Sequence, residues 1–279
     1  MKTIIFGVNG MLGTDLSEIC TNNGIGVVGY DLPELDLCDD NTDLDSLPEC
    51  DWVINCAAYT NVDGAESDID TAMAVNALVP ARIAAFCKQR NLPMVHISTD
   101  YLFDGTKKSP YYEEDETNPI NAYGRSKLAG EVAVRDSWEK HIIIRTQSLF
   151  GINGKNFIKA ICGRIERGQS LKVVDDQVSC PTFTRDLADA IVKLLHVNQY
   201  GTVNVSSEGA CSWYEFASAI VDIVKPGVEI KAVDSSEFPT PAKRPQYSVL
   251  AKKCYNEWTG AKMPHWQDAL ERYLYLAPH

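Results

Sequence analysis

The first half of the chain alternates short, nearly continuous apolar runs with longer amphipathic stretches. The short runs are Thr3–Phe6, Gly26–Tyr30, Trp52–Asn55, Met94–Ser98 and His141–Arg145, and each reads as a strand. Between them, Gly13–Asn22, Asp70–Arg90 and Tyr123–Asp136 read as helices. Strands alternating with helices predict parallel βαβ units. Apolar runs without polar alternation predict a sheet covered on both faces. The fold class that follows is α/β, a Rossmann-type doubly wound parallel sheet.

Beyond Arg145 the rhythm weakens. Asn156–Arg167 and Asp186–His196 read as helices, Leu171–Val174 and Gly201–Val205 as short strands. The remainder carries Pro226, Pro239, Pro241, Pro245 and Pro264 with aromatics between them, which predicts a smaller C-terminal substrate lobe wrapped in loops. The two lobes are expected to interleave in sequence. A dinucleotide-binding domain takes 1–145 with 171–205, and a substrate-binding lobe takes 146–170 and 206–279.

With 279 residues, the chain has room for one large α/β unit and a smaller lobe. The net charge of −12 argues against a nucleic-acid or anionic-membrane partner, since both require a basic face. A phosphate-bearing ligand would have to be held by helix N-termini and a few Arg or Lys side chains. The nine cysteines are odd in number and include no C-x-x-C pair, so neither a disulfide framework nor a metal pattern is visible. The N-terminus enters a strand without a leader, and no apolar stretch reads as long enough to cross a bilayer. The expected setting is a reducing cytoplasm.

Candidate chemistry begins at the first strand-to-helix turn. In TIIFGVNGMLG, Gly7 allows the tight turn, Gly10 lets the backbone approach a pyrophosphate, and Gly13 lets the helix pack closely on the sheet. The N–H groups of Met11 and Leu12 open the helix toward the phosphates. Asp31 ends the second strand, where a carboxylate accepts hydrogen bonds from adenosine ribose hydroxyls and repels a 2′-phosphate. The expected cofactor is therefore NADH or NADPH, with NADH favoured. Leu32, Asp36 and Leu37 are placed beside the adenine.

Tyr123-Gly-Arg-Ser-Lys127 is the second element. Four residues apart on a helix, the two side chains share a face. An ammonium beside a phenol is expected to lower its pKa and suit it to exchange a proton with a carbonyl. The fourth strand ends in Ser98 and Thr99, at the sheet edge where open α/β folds bind ligands; either hydroxyl could polarise a carbonyl.

These motifs resemble the extended short-chain dehydrogenase/reductases, and more narrowly the dTDP-4-dehydrorhamnose reductase family. The resemblance runs along nearly the whole chain: GVNGMLG, NCAAYTNVDGAE (Asn55–Glu66), Val75-Asn76, STDYLFDG (Ser98–Gly105), YGRSK, IIIRTQSLFG (Ile142–Gly151), Asn156-Phe157, DQVSCPT (Asp176–Thr182) and RPQYSVL (Arg244–Leu250). It implies hydride transfer from NAD(P)H to C4 of a dTDP-4-keto-6-deoxy-L-hexose. Thr99, Tyr123 and Lys127 would be catalytic: Tyr123 donates the proton, Lys127 holds the nicotinamide ribose and tunes Tyr123, and Thr99 hydrogen-bonds the ketone. Ala57, Ala58, Tyr59 and Asn76 would join the cofactor groove. Ser98, Tyr101, Phe103, Asn156, Phe157, Gln177, Arg244 and Ser248 would form the nucleotide-sugar side, with Arg244 as diphosphate clamp.

Two positions depart from the family pattern. Ser148 stands where many members have a tryptophan of the sugar pocket. Arg185 stands where members that dimerise through magnesium have a carboxylate, so neither magnesium nor another metal is expected, although Asp15 could match one ligand. The expectation leaves room for a homodimer. Two alternatives stay open: a non-catalytic regulatory subunit like the methionine adenosyltransferase β subunit, and a reductase of another 4-keto nucleotide sugar.

Overall fold

A computed structural model describes residues 1–277 of the chain. The first part runs β1 (Lys2–Phe6), α1 (Met11–Asn22), β2 (Gly26–Tyr30), β3 (Trp52–Asn55), α2 (Ile69–Met73), α3 (Val79–Gln89), β4 (Met94–Thr99), α4 (Ala122–Ser137) and β5 (His141–Thr146). The second part runs β6 (Leu149–Phe150), α5 (Phe157–Glu166), β7 (Leu171–Val174), β8 (Val178–Ser179), β9 (Thr182–Phe183), α6 (Thr184–Leu194) and β10 (Gly201–Asn204). It closes with β11 (Cys211–Ser212), α7 (Trp213–Val224), β12 (Ile230–Val233), α8 (Lys253–Thr259) and α9 (Trp266–Leu276).

Six parallel strands form the main sheet in the order β2-β1-β3-β4-β5-β10. The apolar strands are covered on both faces, as their pattern predicts. One core joins Ile5, Ile54, Ile142 and Ile144 to Leu16 of α1 and Leu187 and Ile191 of α6. The other joins Ile4, Phe6, Val53 and Ile143 to Ile83 and Phe86 of α3. Each fully buried isoleucine contributes about 1.5–3 kcal/mol, which commits β5 to both cores.

The stretch expected as one helix over Asp70–Arg90 is interrupted. A π-helical turn, Ala74–Leu78, separates α2 from α3. Pro80 has no N–H to give the Asn76 carbonyl four residues back, and the ladder widens there. Taken together, the 21 residues of Ile69–Gln89 are, by length and composition alone, enough to cross a membrane, contrary to the sequence expectation. Here Val79, Ile83, Ala84, Phe86 and Cys87 cover the sheet.

The lobe boundaries also differ from expectation. Leu171–Val174 pairs in parallel with β12, so β7 belongs to the smaller lobe and the main domain resumes at α6. The C-terminal part holds three helices where loops were expected. In α7, Ser212 and Glu215 form a capping box that opens the helix. Phe150, Phe183, Phe216, Trp266 and Tyr273 form the aromatic core of the lobe. Near α8 the chain returns to the main domain, where Tyr255 and Met263 enter its core.

Candidate active site and cofactor cleft

The sheet order changes direction between β1 and β3, and the loops leaving these strands part to open a crevice. A cleft of about 730 Å³ begins there. Gly7 adopts φ 76°, and its N–H donates to the Tyr30 carbonyl at 2.9 Å. A Cβ on Gly13 would lie 2.1 Å from the Gly7 carbonyl oxygen, so α1 approaches the turn only because that atom is missing. Gly10 occupies the N-cap of α1 without a side-chain cap, and the first turn has no acidic residue. Free N–H groups and a positive helix end thus face the cleft at Met11, Leu12 and Gly13, which suits a dinucleotide pyrophosphate.

Asp31 and Leu32 line the same cleft at the end of β2. The Asp31 carboxylate accepts from the N–H groups of Asn9 and Leu32, both at 2.9 Å, and thereby ties the glycine turn to β2. Asp36 and Leu37 continue the wall. Their loop is held by Arg82, whose guanidinium donates to the carbonyls of Leu37, Asp39 and Thr42. Ala57, Ala58 and Tyr59 form the opposite wall after β3. Asn76 stands behind that wall rather than in it. Its amide accepts from the Tyr59 N–H at 2.9 Å and donates to the Tyr59 carbonyl and the Ser126 hydroxyl. It pins the loop to α4.

Ser98, Thr99, Tyr101, Tyr123 and Lys127 line the cleft where β4 and α4 meet. Asn121 caps α4 through the Gly124 N–H at 2.7 Å, and Glu66 accepts from the Ala122 N–H at 2.7 Å. Gly124 lets this first turn close on the segment after β4, since a Cβ there would lie 2.2 Å from the Tyr101 carbonyl oxygen. Tyr123 is thereby set edge-on to Tyr101, with centroids 5.9 Å apart, and beside Thr99.

The electrostatics correct one expectation. Burial pushes the Tyr123 phenol up to about 12, with Thr99 as a hydrogen-bond partner acting the other way and the Asp100 carboxylate adding to the rise. Lys127 is not what tunes it. The Lys127 ammonium, 1 % exposed, donates to the Ile97 carbonyl at 2.6 Å. Burial draws its pKa down to about 8, opposed by the charge of Glu131. Tyr123 is therefore a protonated phenol at neutral pH, the form that gives up a proton.

Asp100 also lines the cleft, and the sequence reading passed over it. It is 3 % exposed, and its Oδ2 has no hydrogen-bond partner. Thr99 donates to Oδ1 at 3.1 Å. Burial raises its pKa from 3.8 to about 6, against hydrogen bonds from Ser248 and Thr99. Because folding raises this acid's pKa, its charged form costs stability. The cost is complete above about pH 6 and vanishes below about 3.8. Asp100→Asn is thus expected to stabilise the protein at pH 7.5 by on the order of 2 kcal/mol, with the gain shrinking toward pH 4. Melting curves at both pH values check this; a gain independent of pH would contradict it.

Several residues expected on the sugar side lie elsewhere. Arg244 is not a free clamp: its guanidinium grips Asp63 in bidentate fashion at 3.1 and 2.9 Å and also reaches the Ala242 carbonyl. Phe103 is fully buried, stacked on Tyr111 at 4.1 Å. Asn156 caps α5 and donates to the Gly151 carbonyl at 2.7 Å. Phe157 packs on Trp213 and Phe216. Gln177 lies half-buried between β7 and β8, outside the cleft lining. Ser248 is buried behind Asp100. In their place Thr146, Gln147, Ser148, Lys155 and Trp213 complete the wall. Only Ser148 was singled out in the sequence; it takes φ 46°, with its hydroxyl 2.7 Å from that of Ser179.

Asp15 accepts a hydrogen bond from the Thr184 hydroxyl, and Arg185 pairs with Glu18 at 2.5 Å. Among the described residues, no three His, Cys, Asp or Glu side chains gather as a metal set.

The family model for the RmlD substrate binding domain matches residues 1–277. A dTDP-4-dehydrorhamnose reductase of Burkholderia thailandensis is 36% identical over 298 residues, covering 97% of either chain. A dTDP-4-keto-6-deoxy-D-glucose reductase of Streptomyces niveus is 36% identical, covering 96% of this chain and 95% of its own. The crystal structure of dTDP-4-dehydrorhamnose reductase from Bacillus anthracis in complex with NADP superposes with a TM-score of 0.94 at 36% identity, covering 98% of both chains. On a match spanning all its described residues, the chain belongs to the RmlD family, the dTDP-4-dehydrorhamnose reductases of the extended short-chain dehydrogenase/reductase superfamily.

Proposed function

We propose that this chain reduces the C4 ketone of dTDP-4-dehydrorhamnose to give dTDP-L-rhamnose. The observation that carries the reading is the meeting of Thr99, Tyr123 and Lys127 in the cleft that begins at the uncapped α1 N-terminus. That arrangement favours an enzyme over a regulatory subunit. The glycine turn fits a dinucleotide, because the missing Cβ atoms leave backbone N–H groups to meet its phosphates. A bound reduced nicotinamide supplies the hydride. Tyr123 gives its Oη proton to the C4 oxygen as the carbonyl becomes an alcohol. The Thr99 hydroxyl holds that oxygen, and Lys127 holds ribose hydroxyls. Solvent then reprotonates Tyr123.

The test follows NADH or NADPH oxidation with dTDP-4-keto-6-deoxy-L-lyxo-hexose, against dTDP-4-keto-6-deoxy-D-glucose and the corresponding UDP and GDP sugars. Turnover confined to the first supports the proposal; turnover confined to another sugar overturns it. A second reading, reduction of a different dTDP-4-keto sugar, is favoured by Ser148, whose small side chain leaves the sugar wall without its family tryptophan.

For the cofactor, the Asp31 carboxylate lines the cleft at the end of β2, where it would repel a 2′-phosphate. NADH is expected to exceed NADPH in kcat/KM by roughly tenfold, the size of a like-charge contact in water. A clear preference for NADPH would refute the charge argument. The nine free thiols fit a reducing compartment.

A further inference from the structure

We infer that Glu131, gripped by Arg145, is a positioning residue for Lys127 in the reduction proposed above, on which this inference rests. Lys127 and Glu131 stand one helical turn apart on α4, 1 % and 0 % exposed. Arg145 reaches the Glu131 carboxylate from β5, with Nε 3.0 Å from Oε1 and Nη2 2.8 Å from Oε2. Its Nη1 donates to the Glu113 carbonyl at 3.1 Å, and its guanidinium lies over the Phe103 ring. In the sheet Arg145 is in register with Ser98 of β4, and Lys127 donates to the carbonyl of the neighbouring Ile97. Two buried cations therefore tie α4 to two adjacent strands, and the Glu131 carboxylate that Arg145 grips lies one helical turn from Lys127.

The surroundings leave that carboxylate as the balancing charge. His96 of β4 is fully buried, and burial holds it neutral. His141 of β5 is likewise shifted toward its neutral form by burial. The Cys56 thiol after β3 is pushed up to about 12 by burial. Asp100 acts on Tyr123 from the segment after β4, and Glu66 is committed to the backbone at the start of α4. A buried ammonium without a nearby anion sheds its proton readily. Glu131 opposes this, and Arg145 holds its carboxylate in place through two hydrogen bonds.

The test compares wild type, Glu131→Gln and Glu131→Asp across pH 6 to 10, reading NADPH binding by fluorescence and kcat separately. Glu131→Gln is expected to move the basic limb of both profiles down by about one pH unit, the low end for removing a neighbouring opposite charge. Glu131→Asp is expected to restore most of that shift. A uniform loss with an unmoved limb would identify a merely structural pair and overturn the inference, as would unchanged profiles. If Glu131→Gln does not fold, the double variant Glu131→Leu/Arg145→Met removes the pair without stranding a cation and is expected to move the limb in the same direction by a smaller amount, since the Arg145 charge goes with it; an unmoved limb overturns the inference. A wild type that binds NADPH but reduces no dTDP-4-keto sugar sinks the functional proposal alone, with the binding profile still deciding this one. A wild type that binds no nicotinamide cofactor overturns both.

Discussion

Tyr123→Phe is expected to lose at least about a hundredfold in kcat while binding NADPH as wild type does, the loss lying at the low end of what general acid–base catalysis contributes. The substitution removes one oxygen. The ring keeps its edge-on contact with Tyr101, and the cap of α4 at Asn121 is untouched. What disappears is the phenolic Oη that stands beside Thr99 at the cleft wall. Because burial pushes the phenol up to about 12, it stays protonated across the working pH range. The wild-type decline at high pH is therefore expected near 8, where Lys127 discharges, and not from Tyr123. Steady-state kcat and a fluorescence titration with NADPH check both halves. Near-normal turnover would remove Tyr123 as the proton donor.

Gly13→Ala is expected to lower stability by about 3 kcal/mol, at the upper end of overpacking costs. For a chain of this size that corresponds to a melting temperature roughly 6–12 °C lower. The added Cβ would lie 2.1 Å from the Gly7 oxygen, 2.8 Å from the Val8 Cα and 2.9 Å from the Gly7 carbonyl carbon. All three are backbone atoms, so no side chain can swing away. Either the turn opens or α1 lifts from β1, pulling Leu16 and Cys20 from the core they share with α6. Either movement misplaces the N–H groups at the phosphate end of the cleft, and NADPH affinity should fall at least tenfold. Gly10→Ala is the control: its nearest neighbour, the Gly7 oxygen, would be 3.2 Å away, and its stability loss should be far smaller. Equal losses in the two variants would show that helix–turn contact is not what Gly13 protects.

The parts of the fold legible in the sequence were those whose cause is local. The strand β5 announces itself as three consecutive isoleucines, which only a sheet covered on both faces buries completely. The break at Ala74–Leu78 had a visible cause in Pro80, but the apolar spacing on either side masked it. The helix α7 carries its Ser212–Glu215 capping box in plain sight, within a C-terminal part that reads as loop because its later half is rich in proline. Asp100 gave no local signal, since its unpartnered oxygen exists only where β4, α4 and the Ser248 segment converge.

The sequence by itself determined the alternation of strands and helices, the glycine turn, and the sharing of one helix face by Tyr123 and Lys127. Periodicity and steric exclusion act over a few residues, so these features need no tertiary knowledge. Tertiary structure decided which charges are free. Arg244 reads as a clamp until Asp63, 181 positions away, occupies its fork. Lys127 reads as the tuner of Tyr123 until its ammonium is found on the Ile97 carbonyl. It likewise decided that Leu171–Val174 pairs with Ile230–Val233. A charge finds its partner, and a strand its neighbour, through contacts between distant segments, and neither spacing nor composition encodes those.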